Sequence, residues 1–114
     1  MTQPAPIALL DRAHFAVMTG DDRALQIEIV GLFRDQVAKW RTVLASERPA
    51  AEWRAAAHTM KGSARGIGLW PLAEACAAAE AQKDDDVTAI DAHLQALHAA
   101  LDDALAALAN EGLC

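Results

Sequence analysis

The abundance of alanine is the feature that most restricts the fold of this chain. Alanine fills 28 of the 114 positions, whereas the chain has six glycines, four prolines, two phenylalanines and no tyrosine. Alanine is the strongest helix former, and the β-branched and aromatic residues that favour strands are sparse. The sequence therefore predicts an all-α protein, and its length is that of one domain.

Charge and apolar patterning exclude several classes of protein. Sixteen acidic and ten basic side chains give a formal net charge of −6, which argues against nucleic acid or an anionic membrane as the partner. Charged residues interrupt every apolar window well before the roughly 18 residues of a membrane span, and residues 1–6 do not resemble a signal sequence. Two cysteines, Cys76 and Cys114, are too few for a disulfide framework. We therefore expect a cytoplasmic domain.

Helix start and stop signals predict five helical segments. Residues 1–6, with two prolines, are expected to form a flexible lead-in, and residues 7–112 a helical bundle. The segments are residues 11–18, a long helix that begins after Asp21 or Asp22, residues 50–66, a helix with Pro71 in its first turn, and residues 87–110. Because the connections are short, neighbouring helices should be antiparallel. The prediction is an antiparallel up-down four-helix bundle with a short extra N-terminal helix.

Apolar residues recur at three- and four-residue steps in three of these segments, which predicts their core faces. In the long helix the positions are Leu25, Ile29, Leu32, Phe33, Trp40, Val43 and Leu44. In the third helix they are Trp53, Ala57, Met60, Ala64 and Ile67. In the fifth helix they are Val87, Ile90, Leu94, Leu97, Leu101, Leu105 and Leu108.

His58 is predicted to lie on the solvent side of the third helix. At 100° per residue it falls roughly 140° from the centre of the core face. Its neighbours on the same side are Arg54, Lys61, Gly62 and Arg65. We therefore expect an exposed imidazole among positive side chains, which would stabilise an anion carried on that ring.

Two glycines near His58 are unexpected in so alanine-rich a chain. Gly62 and Gly66 cost about 0.5–1 kcal/mol each relative to alanine inside a helix. A glycine in the middle of a helix often indicates close packing against another helix of the same domain. Beside an exposed histidine, glycines one turn apart also leave a bare strip that another macromolecule can approach. A phosphorylated histidine that meets a protein surface satisfies both the charge pattern and this strip.

The residues around His58 follow a longer pattern. The run is His58-Thr59-Met60-Lys61-Gly62-Ser63-Ala64, then Ile67-Gly68, then Leu72, Cys76 and Glu80 at four-residue intervals. This pattern, about 23 residues long, resembles the signature of the histidine-containing phosphotransfer (HPt) domains of bacterial multistep phosphorelays. The resemblance implies an up-down four-helix bundle, in agreement with the helix count.

The resemblance also implies a function. HPt domains accept a phosphoryl group from an aspartyl phosphate on a receiver domain and pass it to another receiver. His58 matches the phosphorylated residue, Lys61 the lysine beside the phosphoryl group, and Gly62 the glycine that gives the receiver room. Arg54, Arg65 and Gly66 are predicted to contact phosphate or the partner. Such a domain is a phosphorelay intermediate rather than an enzyme, and needs no cofactor or metal of its own because the receiver supplies magnesium.

The expected partners are response-regulator receiver domains, a hybrid histidine kinase, or both, with the domain itself a monomer. Two alternatives remain open. One is an adaptor bundle that binds a receiver or kinase without transferring phosphate. The other is the dimerisation and phosphoacceptor region of a histidine kinase, although there an acidic residue typically follows the histidine and here Thr59 does. The remaining histidines have no Glu-x-x-His spacing that would indicate a metal site: His14, His93 and His98.

Overall fold

A computed structural model describes residues 8–114, which form five α-helices and no strand. The helices are α1 Arg12–Thr19, α2 Arg23–Arg41, α3 Ala50–Ile67, α4 Trp70–Ala81 and α5 Val87–Asn110. The predicted all-α class and the number of helices are confirmed. The predicted lead-in over residues 1–6 lies outside the described residues, so the boundary at residue 7 stays a prediction.

Local capping explains where three of the helices begin and where two of them end. Aspartate side chains accept a backbone N–H in the first turn of three helices: Asp11 for α1, Asp22 for α2 and Asp86 for α5. Of the two candidate caps of α2, the residue that acts is therefore Asp22. Left-handed glycines, Gly20 with φ 61° and Gly68 with φ 96°, follow α1 and α3 directly.

Contacts between the helices establish an antiparallel bundle with α1 packed against α3. Arg23, at the start of α2, donates to the carbonyl of Glu111 after the end of α5, at 2.6 Å. Arg41, at the end of α2, pairs with Asp102 inside α5 at 2.6 Å. α3 and α4 are joined by only Gly68 and Leu69 and pack closely along their length. The predicted four-helix bundle with an extra N-terminal helix is confirmed.

The predicted core face of α3 is confirmed, because all five of its residues are buried: Trp53, Ala57, Met60, Ala64 and Ile67. The prediction for α2 is wrong at Leu25 and Leu32, which are 39% and 61% exposed. The residues of α2 that are buried are Gln26, Val30, Phe33, Val37 and Trp40. One residue turns the helix by 100°, so Leu25 and Leu32 lie beside this stripe rather than on it.

Three other residues that are predicted on the core faces lie elsewhere in the structure than the prediction places them. Val43 and Leu44 follow the end of α2 at Arg41, although Leu44 is still buried in the turn. Val87 is 60% exposed because it is the first residue of α5, beyond the packed part of the bundle. Over the described residues, no helix combines the length and the apolar character needed to cross a membrane.

Candidate functional site

His58 projects from the solvent side of α3, as its spacing predicts. Its side chain is 71% exposed, whereas Trp53 and Met60 on the same helix are buried. The core face therefore fixes the rotation of α3 and leaves the imidazole accessible.

A carboxylate from the neighbouring helix holds this imidazole. Oε2 of Glu80, in the last turn of α4, lies 3.0 Å from Nδ1 of His58. In the sequence, Glu80 is part of the match to the HPt signature, and the sequence alone predicts no role for it. Its spacing does carry a signal, because Glu80 continues the series of Leu72 and Cys76, which are both buried. A glutamate on an otherwise buried face of α4 is directed toward the neighbouring helix.

Lys61 binds the other oxygen of the same carboxylate. Its Nζ lies 2.6 Å from Oε1 of Glu80, and its side chain is only 18% exposed. Donation from Lys61 is the largest influence on Glu80 and lowers the pKa of its carboxyl below the ordinary 4.5; partial burial opposes this shift, and His58 adds to it. Glu80 is therefore ionised at neutral pH and bridges the imidazole and the ammonium.

The Glu80 contact determines which nitrogen of His58 is available for chemistry. An ionised carboxylate only accepts hydrogen bonds, so Nδ1 of His58 carries the proton that is donated to it. In the neutral imidazole, Nε2 then has a free lone pair. The arrangement leaves an imidazole nitrogen with a free lone pair at the surface of the bundle, where it can act as a nucleophile.

The glycines on the same side of α3 are not required by packing. A Cβ atom placed at Gly62 or at Gly66 would meet no atom within 4 Å. This excludes close helix packing among the described residues as the reason for either glycine. The strip beside His58 is therefore open.

The two arginines that are predicted to contact phosphate or the partner lie in different surroundings. Both Nε and a terminal nitrogen of Arg54 donate to the backbone carbonyl of Gln82, at 3.1 and 2.5 Å. Arg65 is exposed and lines a shallow cavity with Trp70 and Glu74 of α4. The structure thus brings His58, Lys61 and Glu80 together and places Arg54 at the end of α4.

An apolar groove runs beside the glycine strip, between α1, α2 and α3. Its volume is about 340 Å³, and its lining includes Met18, Ile29, Leu32, Ser63 and Gly66. Met18 and Leu32 are 59% and 61% exposed there. Exposed apolar side chains next to a functional site are typical of a protein interaction surface. Leu32 therefore lies on the wall of this groove rather than in the core.

Comparisons with known proteins agree with this geometry. The family model described as Hpt domain matches residues 28–111 of the chain. The crystal structure of the histidine phosphotransferase ShpA from Caulobacter crescentus is 33% identical in sequence and superposes with a TM-score of 0.75. That similarity covers 92% of this chain and 91% of the other. No curated protein sequence matches this chain.

Proposed function

The chain belongs to the Hpt domain family, and from this premise we propose that it relays a phosphoryl group between receiver-domain aspartates through phosphohistidine at His58. The family itself consists of phosphotransfer intermediates that interact with receiver or kinase partners of two-component systems. The observation that carries the proposal is the exposed imidazole whose Nδ1 is held by Glu80, which leaves Nε2 free.

The transfer step needs no proton movement at the attacking atom. The lone pair on Nε2 of His58 attacks the phosphorus of an aspartyl phosphate on the receiver, and a nitrogen–phosphorus bond forms. The bond between phosphorus and the aspartate oxygen breaks, and the carboxylate leaves with its electron pair. The imidazole ring gains positive charge, which the ionised Glu80 stabilises through the proton on Nδ1. The return step, onto a second aspartate, reverses these bond changes.

Lys61 is the residue that we assign to the phosphoryl oxygens. Phosphoryl transfer depends mainly on positioning and on electrostatic stabilisation of the transferred group. An ammonium has three N–H donors, so Lys61 can retain its contact with Glu80 through one of them and donate the others to phosphate oxygens. Glu80 therefore holds both the nucleophile and the cation that assists it.

The surface around His58 fits a protein partner better than a small molecule. Gly62 and Gly66 leave a bare strip on α3, and the groove with Met18 and Leu32 adds apolar area next to it. A receiver domain that docks there brings its aspartate to His58 along the glycine strip. The magnesium that phosphoryl transfer requires would come from the receiver, and the chain would need no nucleotide site of its own.

We propose that the protein is a monomer, because residues 8–114 form an apolar core within one chain. The free thiols of Cys76 and Cys114 fit a reducing compartment such as the cytoplasm.

Phosphotransfer profiling tests the proposal directly. Purified receiver domains from the same source are phosphorylated on aspartate with a radiolabelled small-molecule phosphodonor, freed of excess donor and mixed with the chain. Radiolabel that moves from a receiver to the chain within seconds to minutes is the expected result. If the chain binds a receiver but acquires no label from any of them, it is a non-transferring adaptor instead.

A further inference from the structure

Arg54 donates two hydrogen bonds to one backbone carbonyl at the end of α4. Its Nε and one terminal nitrogen both donate to the carbonyl of Gln82, and its guanidinium carbon lies 4.8 Å from the centre of the Trp53 ring. Trp53 is 1% exposed, so the arginine packs against a fixed part of the core. Gln82 is the C-cap residue of α4 and follows the last helical residue, Ala81.

The last carbonyls of a helix have no partner inside the helix, and basic side chains commonly bind them. α4 has no basic residue in its own last turn. Arg54 supplies the missing donors from the neighbouring helix. Helix ends fray readily, so this contact is expected to order the last turn of α4.

The same turn of α4 carries Glu80. Arg54 lies four residues before His58 on α3, and Gln82, directly after α4, lies two residues after Glu80. The contacts of Glu80 with His58 and of Arg54 with Gln82 are therefore neighbouring links between the same two helices. A shift of the last turn of α4 would move the Glu80 carboxylate away from Nδ1.

We infer that Arg54 is a positioning residue: by binding the carbonyl of Gln82 it fixes the last turn of α4 and so holds Glu80 against His58. Arg54 acts through Glu80 and does not itself touch the transferred phosphoryl group. The kinetic part of this inference rests on the proposed phosphotransfer function.

The tautomer of His58 reports on the position of Glu80 without any phosphate transfer. Nitrogen-15 NMR of the unphosphorylated full chain, above about pH 8 where an ordinary imidazole is neutral, distinguishes a protonated Nδ1 from a protonated Nε2. Wild type should show the Nδ1–H form of His58. Arg54→Met should show a mixture of both forms, and Arg54→Lys, which keeps the charge and the stem, an intermediate population.

Arg41→Met is the matched control. Arg41 also joins two helices, through Asp102 and His98, but it lies between α2 and α5. Loss of this contact should leave the tautomer of His58 unchanged. Arg54→Lys should fold even where Arg54→Met does not, so at least one variant reports. Wild-type tautomer populations in the folded Arg54 variants would overturn the inference.

A double-mutant cycle tests whether Arg54 acts through Glu80. We expect Arg54→Met and Glu80→Gln each to slow phosphotransfer by about tenfold, and the double variant to be no slower than Glu80→Gln alone within about twofold, since residues that act as one unit are not additive. An additive loss of about a hundredfold would show that Arg54 acts independently, and would overturn the inference. A wild-type chain that never accepts phosphate would contradict the proposed function instead, while the tautomer measurement would still decide the role of Arg54.

Discussion

The carboxylate of Glu80 lies 3.0 Å from Nδ1 of His58, so a residue of α4 orients the imidazole that α3 presents to solvent. The exposure of the ring comes from the packing of α3, and its tautomer comes from α4. The chemistry that we propose for His58 therefore depends on the packing of two helices against each other.

Replacing Gly62 with leucine should slow phosphotransfer strongly without loss of stability. The new side chain meets no atom of this chain at its Cβ, but it stands one turn from His58 on the proposed docking surface. Leucine is the better helix former, so the free energy of unfolding should rise by up to about 1 kcal/mol. Gly31→Leu is the control, since Gly31 also lies within a helix with open space at its Cβ. Equal transfer rates for the two folded variants would show that the glycine strip is not a docking surface.

Lys61→Ala and Arg65→Ala should differ in their dependence on salt. In the proposed mechanism Lys61 stabilises the transferred group, so its loss should lower the transfer rate constant at saturating receiver. Arg65 is exposed, so we expect it to assist docking of the receiver. The loss of affinity in Arg65→Ala should become smaller as the salt concentration rises, because charges are screened over about 8 Å at physiological ionic strength. Stopped-flow transfer at two salt concentrations separates these effects. If both variants lose only affinity, and both losses vanish in high salt, Lys61 has no special role.

Leu32→Ser should weaken binding of the receiver and leave the fold intact. Leu32 is 61% exposed on the wall of the groove, so its removal costs the folded chain little. Burial of a leucine in an interface contributes about 1.5–3 kcal/mol, which corresponds to a loss of about tenfold or more in Kd. Ile27→Ser is the control, because Ile27 is similarly exposed on α2 but does not line the groove. Titration calorimetry with a cognate receiver should show the loss for Leu32→Ser only.

The two cysteines should differ sharply in reactivity. Burial, together with the nearby Glu80 carboxylate, raises the pKa of the Cys76 thiol to about 12. The thiolate is the reactive form, so Cys76 should resist alkylation while the exposed Cys114 reacts. Mass spectrometry after iodoacetamide treatment should find one modification in the native chain and two in denaturant. Rapid modification of Cys76 in the native chain would contradict the packing of α4 described above.

Much of the fold follows from the sequence because its helices carry strong local signals. Aspartate caps, left-handed glycines and the spacing of apolar residues on α3 all act within one or two turns. The core face of α2 does not follow from the spacing of its apolar residues alone. Leu25 and Leu32 have the spacing of core residues, yet both are exposed. Leu32 lies on the wall of the groove between α1, α2 and α3, and the spacing of residues within α2 does not determine that arrangement.

In the candidate site, too, features of a single helix follow from the sequence, whereas contacts between helices do not. The exposure of His58 follows from the periodicity of its own helix. The contacts of Glu80 with His58 and Lys61 depend instead on how α4 is aligned with α3, which no spacing within one helix determines. The sequence predicts the same role for Arg54 as for the other cations because it is one turn from His58, whereas its contact with Gln82 depends on where α4 ends.

The most direct test of the account is to locate the phosphoryl group. The chain is phosphorylated by a labelled cognate receiver and digested under basic conditions, in which phosphohistidine is stable, and the modified residue is identified by mass spectrometry. We expect an acid-labile, base-stable phosphate on His58 alone, and no label in a His58→Gln variant whose helicity and melting temperature match wild type. Retained labelling of folded His58→Gln, with phosphate on His14, His93 or His98, would contradict the account.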